Sequence, residues 1–288
     1  MSTTPPPAIF FTDWDGTVTL EDSNDYLTDN LGMGYPKRKI INDKILEGSL
    51  SFRDGFREML ESIPTPFNEC IEYLLKNVKL DPGFKEFYNY CEARKIPIIV
   101  VSSGMTPIIS ALLTKLVGEE AVSKIQILSN DVRVDDNGKN WEIIFKHPDS
   151  HFGHDKSKSI TEYLEAHGFS AAQNQDLDGL PSMPKLFYAG DGISDASSAE
   201  KLEEISKSLE KNDNNDKSDE DTDSLLFAKS GRDLIKFCVR ENVAFTEFND
   251  FKDILSKLKS IVDDGVPVKN FVENSKVKAN EEVKETTK

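Results

Sequence analysis

The 288-residue chain lacks the patterns that mark disulfide-rich, zinc-binding, secreted or membrane proteins. Its three cysteines, Cys70, Cys91 and Cys238, are scattered without C-x-x-C spacing, so we expect buried apolar thiols rather than a disulfide framework or a zinc site. No apolar run approaches the length of a membrane-spanning helix, and the start lacks the basic and apolar regions of a signal peptide. A cytoplasmic protein without a membrane partner is therefore predicted.

The chain also has fewer basic than acidic residues. It contains 35 Lys and Arg residues and 51 Asp and Glu residues, which gives a formal net charge of −16. Nucleic-acid binding normally needs a basic face that displaces counterions, so nucleic acid is excluded as a partner. A dinucleotide-binding G-x-G-x-x-G motif is missing too. Gly190-Asp191-Gly192 puts an acid where a pyrophosphate would lie, which argues against an oxidoreductase of that type. Protein partners remain unknown at this point.

Short apolar runs typical of buried strands recur along the chain, at residues 8–11, 96–101, 185–189, 225–228 and 243–245. Two further runs, 125–134 and 141–145, flank an Asp-Asp-Asn-Gly-Lys-Asn segment and predict a hairpin or neighbouring strands. Helical patterns lie between the runs. Buried strands that alternate with helices predict an α/β fold, a three-layer, Rossmann-like, doubly wound parallel sheet.

The helical periodicity between residues 21 and 80 interrupts this alternation and predicts a small inserted helical cap. The α/β core is then assigned to residues 8–20 and 81–265. Within it, residues 209–223 are mostly acidic and polar, so a disordered acidic insertion is predicted there. Residues 270–288 are rich in lysine and glutamate without an apolar face, and a disordered tail is expected.

Acidic and small polar residues follow three of the predicted strands. Asp13 and Asp15 come after the strand at 8–11, Ser102, Ser103 and Gly104 come after the strand at 96–101, and Asp191 and Asp195 come after the strand at 185–189. Parallel sheets bind ligands beyond the carboxyl ends of their strands, so these loops should converge at one edge. Clustered carboxylates repel one another, and a divalent oxygen-preferring cation such as Mg²⁺ is the usual reason for their coexistence. Lys156 is the candidate for a second positive charge that would favour a bound phosphate.

These motifs resemble those of the haloacid dehalogenase superfamily of aspartate-nucleophile phosphatases. Asp13 and Asp15 match its D-x-D-G-T motif, and Ser102 matches the serine or threonine that ends the second motif strand. The lysine of the third motif corresponds to Lys156, and the acidic G-D-G-x-x-D motif to Asp191 with Asp195. The resemblance covers nearly the whole chain apart from the predicted insertion and tail.

The resemblance implies a role for each matching residue. Asp13 attacks phosphorus and forms an aspartyl phosphate, while Asp15 protonates the leaving alcohol and then activates water. Ser102 and Lys156 hold the phosphoryl oxygens, with Ser103 and Gly104 beside them. Mg²⁺ binds Asp13, the backbone carbonyl of Asp15 and Asp191, and Asp195 orients a metal-bound water or Lys156.

The helical segment resembles the small cap of the phosphoserine phosphatase-like branch, in which Asp22, Asp25 and Arg57 would contact the substrate. The cap favours small metabolites over polymers. The local sequence T-V-T-L-E-D-S is closer to relatives that act on phosphorylated ketones, polyols or methylthio-sugars, so a polyol- or sugar-type phosphate is favoured. Phosphoserine hydrolysis, phosphoryl transfer by a phosphotransferase or phosphomutase, and a non-catalytic binding role remain alternatives.

A second metal site at His151-x-x-His154 with Asp155 also has to be considered, since two imidazoles and a carboxylate lie close in sequence. Pro148 and Gly153 indicate a loop rather than a helix face at this point. The loop interpretation is favoured.

Overall fold

The structure is a computed structural model that describes residues 5–169, 184–210 and 224–273. Seven strands and eleven α-helices lie in these described residues. In chain order they are β1 (Ala8–Thr12), α1 (Ser23–Leu31), α2 (Tyr35–Leu46), α3 (Phe52–Glu61), α4 (Phe67–Asn77), α5 (Phe84–Ala93), β2 (Ile98–Met105), α6 (Thr106–Val117), α7 (Glu119–Val122), β3 (Gln126–Val134), β4 (Trp141–Ile144), α8 (Lys156–Ala166), β5 (Lys185–Gly190), α9 (Ala196–Glu210), β6 (Ser224–Lys229), α10 (Asp233–Glu241), β7 (Thr246–Phe248) and α11 (Phe251–Val262).

The chain divides into two compact units, of which the first comprises residues 5–13, 82–99 and the described residues from 157 onward. In it the strand order is β2-β1-β5-β6-β7, where only the first two residues of β2 belong to this unit. Strands β1, β5, β6 and β7 pair in parallel. All five residues of β1 are buried, as expected for a central strand that helices cover on both faces.

Aromatic side chains form much of the core of this first unit. The Phe10 ring of β1 meets the Phe87 ring of α5 edge-on, with 4.7 Å between the ring centroids. Phe251, at the start of α11, lies 5.0 Å from Phe87 and 4.9 Å from Phe84, again centroid to centroid. Edge-to-face contacts of this kind are the preferred arrangement of aromatic rings, so α5 and α11 are held together beside β1.

The second unit comprises residues 14–81 and 100–156 and contains α1 to α4, the end of β2, α6, β3 and β4. Strands β3 and β4 form an antiparallel hairpin in which Val134 faces Trp141. The Trp141 indole N–H donates to the carbonyl of Thr65 at 3.0 Å, and the Trp141 ring packs on Phe67 at the start of α4. The hairpin is thereby anchored to the helical segment 21–80.

The predicted α/β class and its mostly parallel, doubly wound sheet are confirmed, as is the hairpin of β3 and β4. Two strand predictions need correction. Ser102, Ser103 and Gly104 lie inside β2, which continues to Met105, and not in a loop that follows the strand. The last strand lies at Thr246–Phe248, three residues beyond the predicted 243–245.

The predicted division into core and cap stays a prediction. The predicted acidic insertion, 209–223, lies outside the described residues except for positions 209 and 210, which end α9. Of the predicted tail, 270–288, only residues 270–273 are described. The three cysteines are buried, as expected. Within the described part of the chain no helix is long and apolar enough to cross a bilayer, and the cytoplasmic location stays a prediction.

Candidate active site

Three carboxylates meet at the carboxyl ends of β1 and β5 in the first unit. Strand register brings them together, because Thr12 of β1 lies opposite Ala189 of β5 and the Asp13 amide donates to the Ala189 carbonyl at 2.8 Å. Ligand oxygens of Asp13, Asp191 and Asp195 lie within 4.8 Å of one another. Every donor atom of this group is a carboxylate oxygen, the ligand type that Mg²⁺ prefers, so the residues present fit that ion.

Asp195 is buried and also shapes the loop after β5. One of its oxygens accepts from the Tyr188 hydroxyl at 2.6 Å, and the other accepts from the amides of Asp191 and Gly192 at 3.0 and 3.1 Å. A Cβ atom at Gly190 would lie 2.5 Å from the second oxygen, so glycine is needed for this close approach. Tyr188 was missed by the sequence analysis, since its alternation within β5 indicates only a core position.

Asp15 lies in the turn that follows β1, in the second unit, and is held by two donors from the first turn of α1. The Ser23 amide donates to Asp15 Oδ1 at 2.7 Å, and the Asn24 side-chain amide donates to Asp15 Oδ2 at 2.9 Å. Asp22 caps the same turn by accepting from the amides of Asn24 and Asp25. Burial and then the negative charge of Asp22 raise the pKa of Asp15 well above its ordinary value.

The residues predicted to bind phosphate lie on β2 and at the start of α8. The Ser102 side chain is buried and accepts from the Gly104 amide at 3.0 Å. A Cβ atom at Gly104 would lie 3.1 Å from Asp15 Oδ2 and 3.2 Å from Ser102 Oγ, so Gly104, Ser102 and Asp15 are neighbours. Ser103 contributes its carbonyl, which accepts from the Asn130 side chain at 2.7 Å.

Lys156 is the first residue of α8, and only 3% of it is exposed. Loss of hydration raises the pKa of Asp22, and the positive charges of Arg38 and Lys156 oppose that rise. The Lys156 charge is therefore close enough to influence the Asp22 carboxylate before α1. A solvated surface lysine would not have this burial.

His154 is buried and bonds the backbone of β2. Its Nδ1–H donates to the Ser102 carbonyl at 2.6 Å, which links the loop before α8 to β2. Burial, followed by the charge of Lys156, lowers the pKa of His154 to about 3, so the imidazole is neutral. His151 is exposed. Residues 147–154 form turns and bends and no helix, so the loop interpretation is confirmed. Among the described residues, only Asp13, Asp191 and Asp195 form a group of three or more candidate metal ligands.

The predicted specificity residues have different surroundings. Asp25 pairs with Arg38, whose Nη1 lies 2.5 Å from the carboxylate. Asp29 accepts two further hydrogen bonds from Arg38, at 2.7 and 2.8 Å. Burial raises the pKa of Asp25 to about 7, with the charge of Asp22 acting in the same direction. Arg57 instead lies over the Phe145 ring, 5.0 Å from its centroid, and is 3.9 Å from Asp54.

Arg38 and Asn24 are further candidates that the sequence analysis missed. Arg38 is 8% exposed and Asn24 is 4% exposed, which is unusual for such polar side chains. The signal that could have identified Arg38 is its spacing of nine residues from Asp29 across the Gly32–Pro36 turn. Nothing in the local pattern distinguishes Asn24 from an ordinary residue in the first turn of a helix.

The fold and the three carboxylates define an α/β protein with an aspartate-based site that fits a divalent cation. Residues 10–200 match the haloacid dehalogenase-like hydrolase family, and the chain belongs to this family. The chain is 46% identical over 267 residues to polyol phosphate phosphatase PYP1 of Saccharomyces cerevisiae, covering 93% of this chain and 99% of the relative. It is 44% identical over 253 residues to Pdp3-interacting factor 1 of Schizosaccharomyces pombe, covering 87% and 94%.

The fold is also similar to that of a solved substrate-bound phosphoserine phosphatase. The TM-score is 0.57 at 17% sequence identity, and the match covers 88% of this chain and 99% of the other. At that identity the likeness concerns the fold alone. The predicted enzyme class, a phosphoric monoester hydrolase of the haloacid dehalogenase type, is confirmed by the family match together with the phosphatase relative.

We predict that Tyr188→Phe destabilises the protein by about 1–3 kcal/mol, because the buried Asp195 carboxylate loses a hydrogen-bond donor. Urea unfolding measures the change. The matched control is Tyr163→Phe, which removes a tyrosine hydroxyl from a ring that packs edge-on against Phe11 in the same unit. Equal stability losses in the two variants would contradict the structural role of the Tyr188–Asp195 bond.

A second prediction concerns pH and His154. Its pKa is lowered to about 3 in the folded protein from an ordinary value of 6.5, so between these values the unfolded chain binds a proton that the folded chain does not. Stability must therefore fall as the pH decreases through this window, by up to about 1.4 kcal/mol per pH unit from this group.

The replacement His154→Asn retains a donor for the Ser102 carbonyl and removes the titrating imidazole. We expect its free energy of unfolding to fall less steeply than that of the wild type between pH 6.5 and pH 4 in urea titrations. His151→Asn, at an exposed position, should retain the wild-type slope. Identical slopes for all three proteins would show that His154 does not titrate in this way.

Proposed function

We propose that this enzyme is a Mg²⁺-dependent phosphatase that hydrolyses small-metabolite phosphate monoesters through an aspartyl-phosphate intermediate on Asp13. Polyol- and sugar-type phosphates are its favoured substrates. The observation that carries the proposal is the group of Asp13, Asp191 and Asp195 carboxylates at the carboxyl ends of β1 and β5. Three acids in so small a volume need a cation to offset their repulsion, and the family motifs assign a nucleophile to the first of them.

In the first chemical step, an Asp13 carboxylate oxygen attacks phosphorus and the bond from phosphorus to the ester oxygen breaks. Asp15 gives its proton to that oxygen, so a neutral alcohol leaves. In the second step, water attacks the phosphorus of the aspartyl phosphate while Asp15 takes a proton from it. Inorganic phosphate then leaves and Asp13 is restored. The raised pKa of Asp15 supports its role as an acid.

The phosphoryl oxygens are assigned to Ser102, Ser103, Gly104 and Lys156. Support comes from the burial of Ser102 and Lys156 and from the close packing of Gly104 against Asp15 and Ser102. Asp13, Asp191 and the Asp15 backbone carbonyl would hold Mg²⁺, with Asp195 fixing the loop that carries Asp191. When bound, the ion would neutralise part of the charge that accumulates when a carboxylate approaches a phosphate dianion.

The arginines of the helical segment 21–80 support a substrate without a carboxylate. Arg38 is buried, and its guanidinium already bonds the carboxylates of Asp25 and Asp29. Arg57 lies over an aromatic ring. A second negative group on the substrate would be repelled by Asp22 and Asp25. Hydroxyl groups of a substrate would not be repelled, because the Asp25 carboxyl, with a pKa of about 7, can both accept hydrogen bonds from them and donate to them. The polyol phosphatase relative agrees with this preference.

The catalytic proposal predicts that Asp13→Asn lowers turnover by at least about a thousandfold, because the nucleophile is lost. Phosphate release from a panel of phosphorylated metabolites, with Mg²⁺ and with excess chelator, measures the effect. Asp136→Asn is the control, since it neutralises an exposed aspartate in the hairpin turn. Wild-type activity in the Asp13 variant would refute the mechanism.

The same assay separates the alternatives. A phosphotransferase or phosphomutase would move the phosphoryl group to an added polyol or sugar in preference to water, and the acceptor product would be detected. A non-catalytic binding protein would release phosphate from no member of the panel. Either result would exclude the proposed hydrolase.

For substrate choice, we predict that kcat/KM for polyol phosphates exceeds that for O-phosphoserine by at least about tenfold, because a carboxylate would be left without a positive partner. Asp29→Asn should lower the ratio of kcat/KM for polyol phosphates to kcat/KM for O-phosphoserine, since it removes one of the two carboxylates that bind Arg38. Asp43→Asn, which breaks an exposed ion pair with Lys39 on the same helix α2, should leave the ratio unchanged. Preference for O-phosphoserine in the wild type would contradict the assignment.

A further inference from the structure

The side chain of Asn24 forms an unusual contact with Asp15. Its amide nitrogen donates to Asp15 Oδ2 at 2.9 Å, while the Ser23 amide donates to Asp15 Oδ1 at 2.7 Å. Each carboxylate oxygen of Asp15 therefore has a donor from the first turn of α1. Two bonds to two different oxygens fix the rotation of a carboxyl group about its own axis, which a single bond would leave free.

The side-chain oxygen of Asn24, unlike its nitrogen, has no hydrogen-bond partner among the described residues. Asn24 is 4% exposed, and its Oδ1 atom is buried without a hydrogen-bond partner. If the amide were rotated by half a turn, Oδ1 would face Asp15 Oδ2, and the two could bond only while Asp15 is protonated, whereas the observed orientation also bonds the ionised carboxylate. Buried polar atoms are normally paired, and an unpaired one reduces stability.

Helix capping does not explain the residue either. Asp22 already caps α1 through its own carboxylate, and the Asn24 backbone forms its ordinary helix bonds whatever the side chain is. An apolar side chain of similar size would remove the unpaired buried oxygen. Because Asp15 is half-buried, water could replace the lost donor at its carboxylate. The one contact that requires asparagine is the bond to Asp15.

We propose that Asn24 is a positioning residue for Asp15, which holds the Asp15 carboxyl in the rotation needed to give its proton to the leaving oxygen. The inference rests on the proposed function, since it takes Asp15 as the acid. It adds a residue that the D-x-D-G-T motif does not contain, on a separate element of the chain. Asn24 itself need not touch the substrate.

The role of Asn24 can be separated from a general loss of activity through the leaving group. An alkoxide is a poor leaving group and needs a proton as its bond to phosphorus breaks, whereas p-nitrophenolate leaves without one. Misorientation of Asp15 must therefore slow phosphoryl transfer to Asp13 from an alkyl phosphate far more than from p-nitrophenyl phosphate. Damage to phosphate binding or to the fold would slow both substrates alike.

The test compares Asn24→Leu and Asn24→Ala with the wild type on glycerol phosphate and p-nitrophenyl phosphate. We expect kcat/KM on glycerol phosphate to fall about ten- to a hundredfold and kcat/KM on p-nitrophenyl phosphate to fall less than about threefold, since kcat/KM excludes the later hydrolysis of the aspartyl phosphate that both substrates share. The melting temperature of Asn24→Leu should be no lower than that of the wild type, because an unpaired buried oxygen has been removed.

Thr28→Val is the matched control. Thr28 lies one turn further along α1, is buried, and donates from its hydroxyl to the Asn24 carbonyl at 2.9 Å. Its replacement removes a buried hydrogen bond of the same helix without touching Asp15, so the ratio of the two activities should stay at the wild-type value. Equal loss on both substrates in the Asn24 variants, or an unchanged ratio, would overturn the proposal.

Failure of the underlying function gives a different result. Asp15→Asn should show the same discrimination between the two substrates in stronger form. If the wild type releases phosphate from neither substrate, or if Asp15→Asn does not discriminate between them, the assigned chemistry of Asp15 is wrong and the role of Asn24 is refuted with it. If Asp15→Asn discriminates and the Asn24 variants do not, only the positioning role is refuted.

Discussion

The parallel pairing of β1 with β5 is the constraint on which the rest of the first unit depends. The amide of Asp13 continues this pairing one residue past β1 by donating to the Ala189 carbonyl. The backbone of the nucleophile candidate is therefore held by the same hydrogen-bond ladder as the fully buried strand β1. Asp191 leaves the neighbouring strand at the same level. A shift of the register by one residue would move every side chain of β1 to the opposite face and would separate the two carboxylates.

In the second unit, the pKa of Asp15 depends on the charges around it. The charge of Asp22 raises the pKa of both Asp15 and Asp25, and the charge of Asp25 also raises that of Asp15. Arg38 and Lys156 provide the opposing positive charge. Both cations are buried, so solvent screens them weakly. The helical segment thus contributes to the electrostatics of Asp15.

Much of this was predictable from sequence, and the limits are physical. Strands β1 and β5 and the β3–β4 hairpin were identified because buried runs and turn residues are local signals. Motif residues were identified by their order along the chain. Arg38, Asn24 and Tyr188 were not, because each acts through a partner that only the folded chain supplies. The end of β2 was misjudged since Ser102, Ser103 and Gly104 have the composition of a loop, although tertiary pairing keeps them extended.

The contact between Gly190 and Asp195 has a consequence for how this enzyme can vary. Position 190 has room for a hydrogen atom and nothing larger, since the smallest side chain would occupy the volume of a carboxylate that also holds two loop amides. The two positions therefore cannot change independently, and substitutions that diversify the enzyme must fall elsewhere.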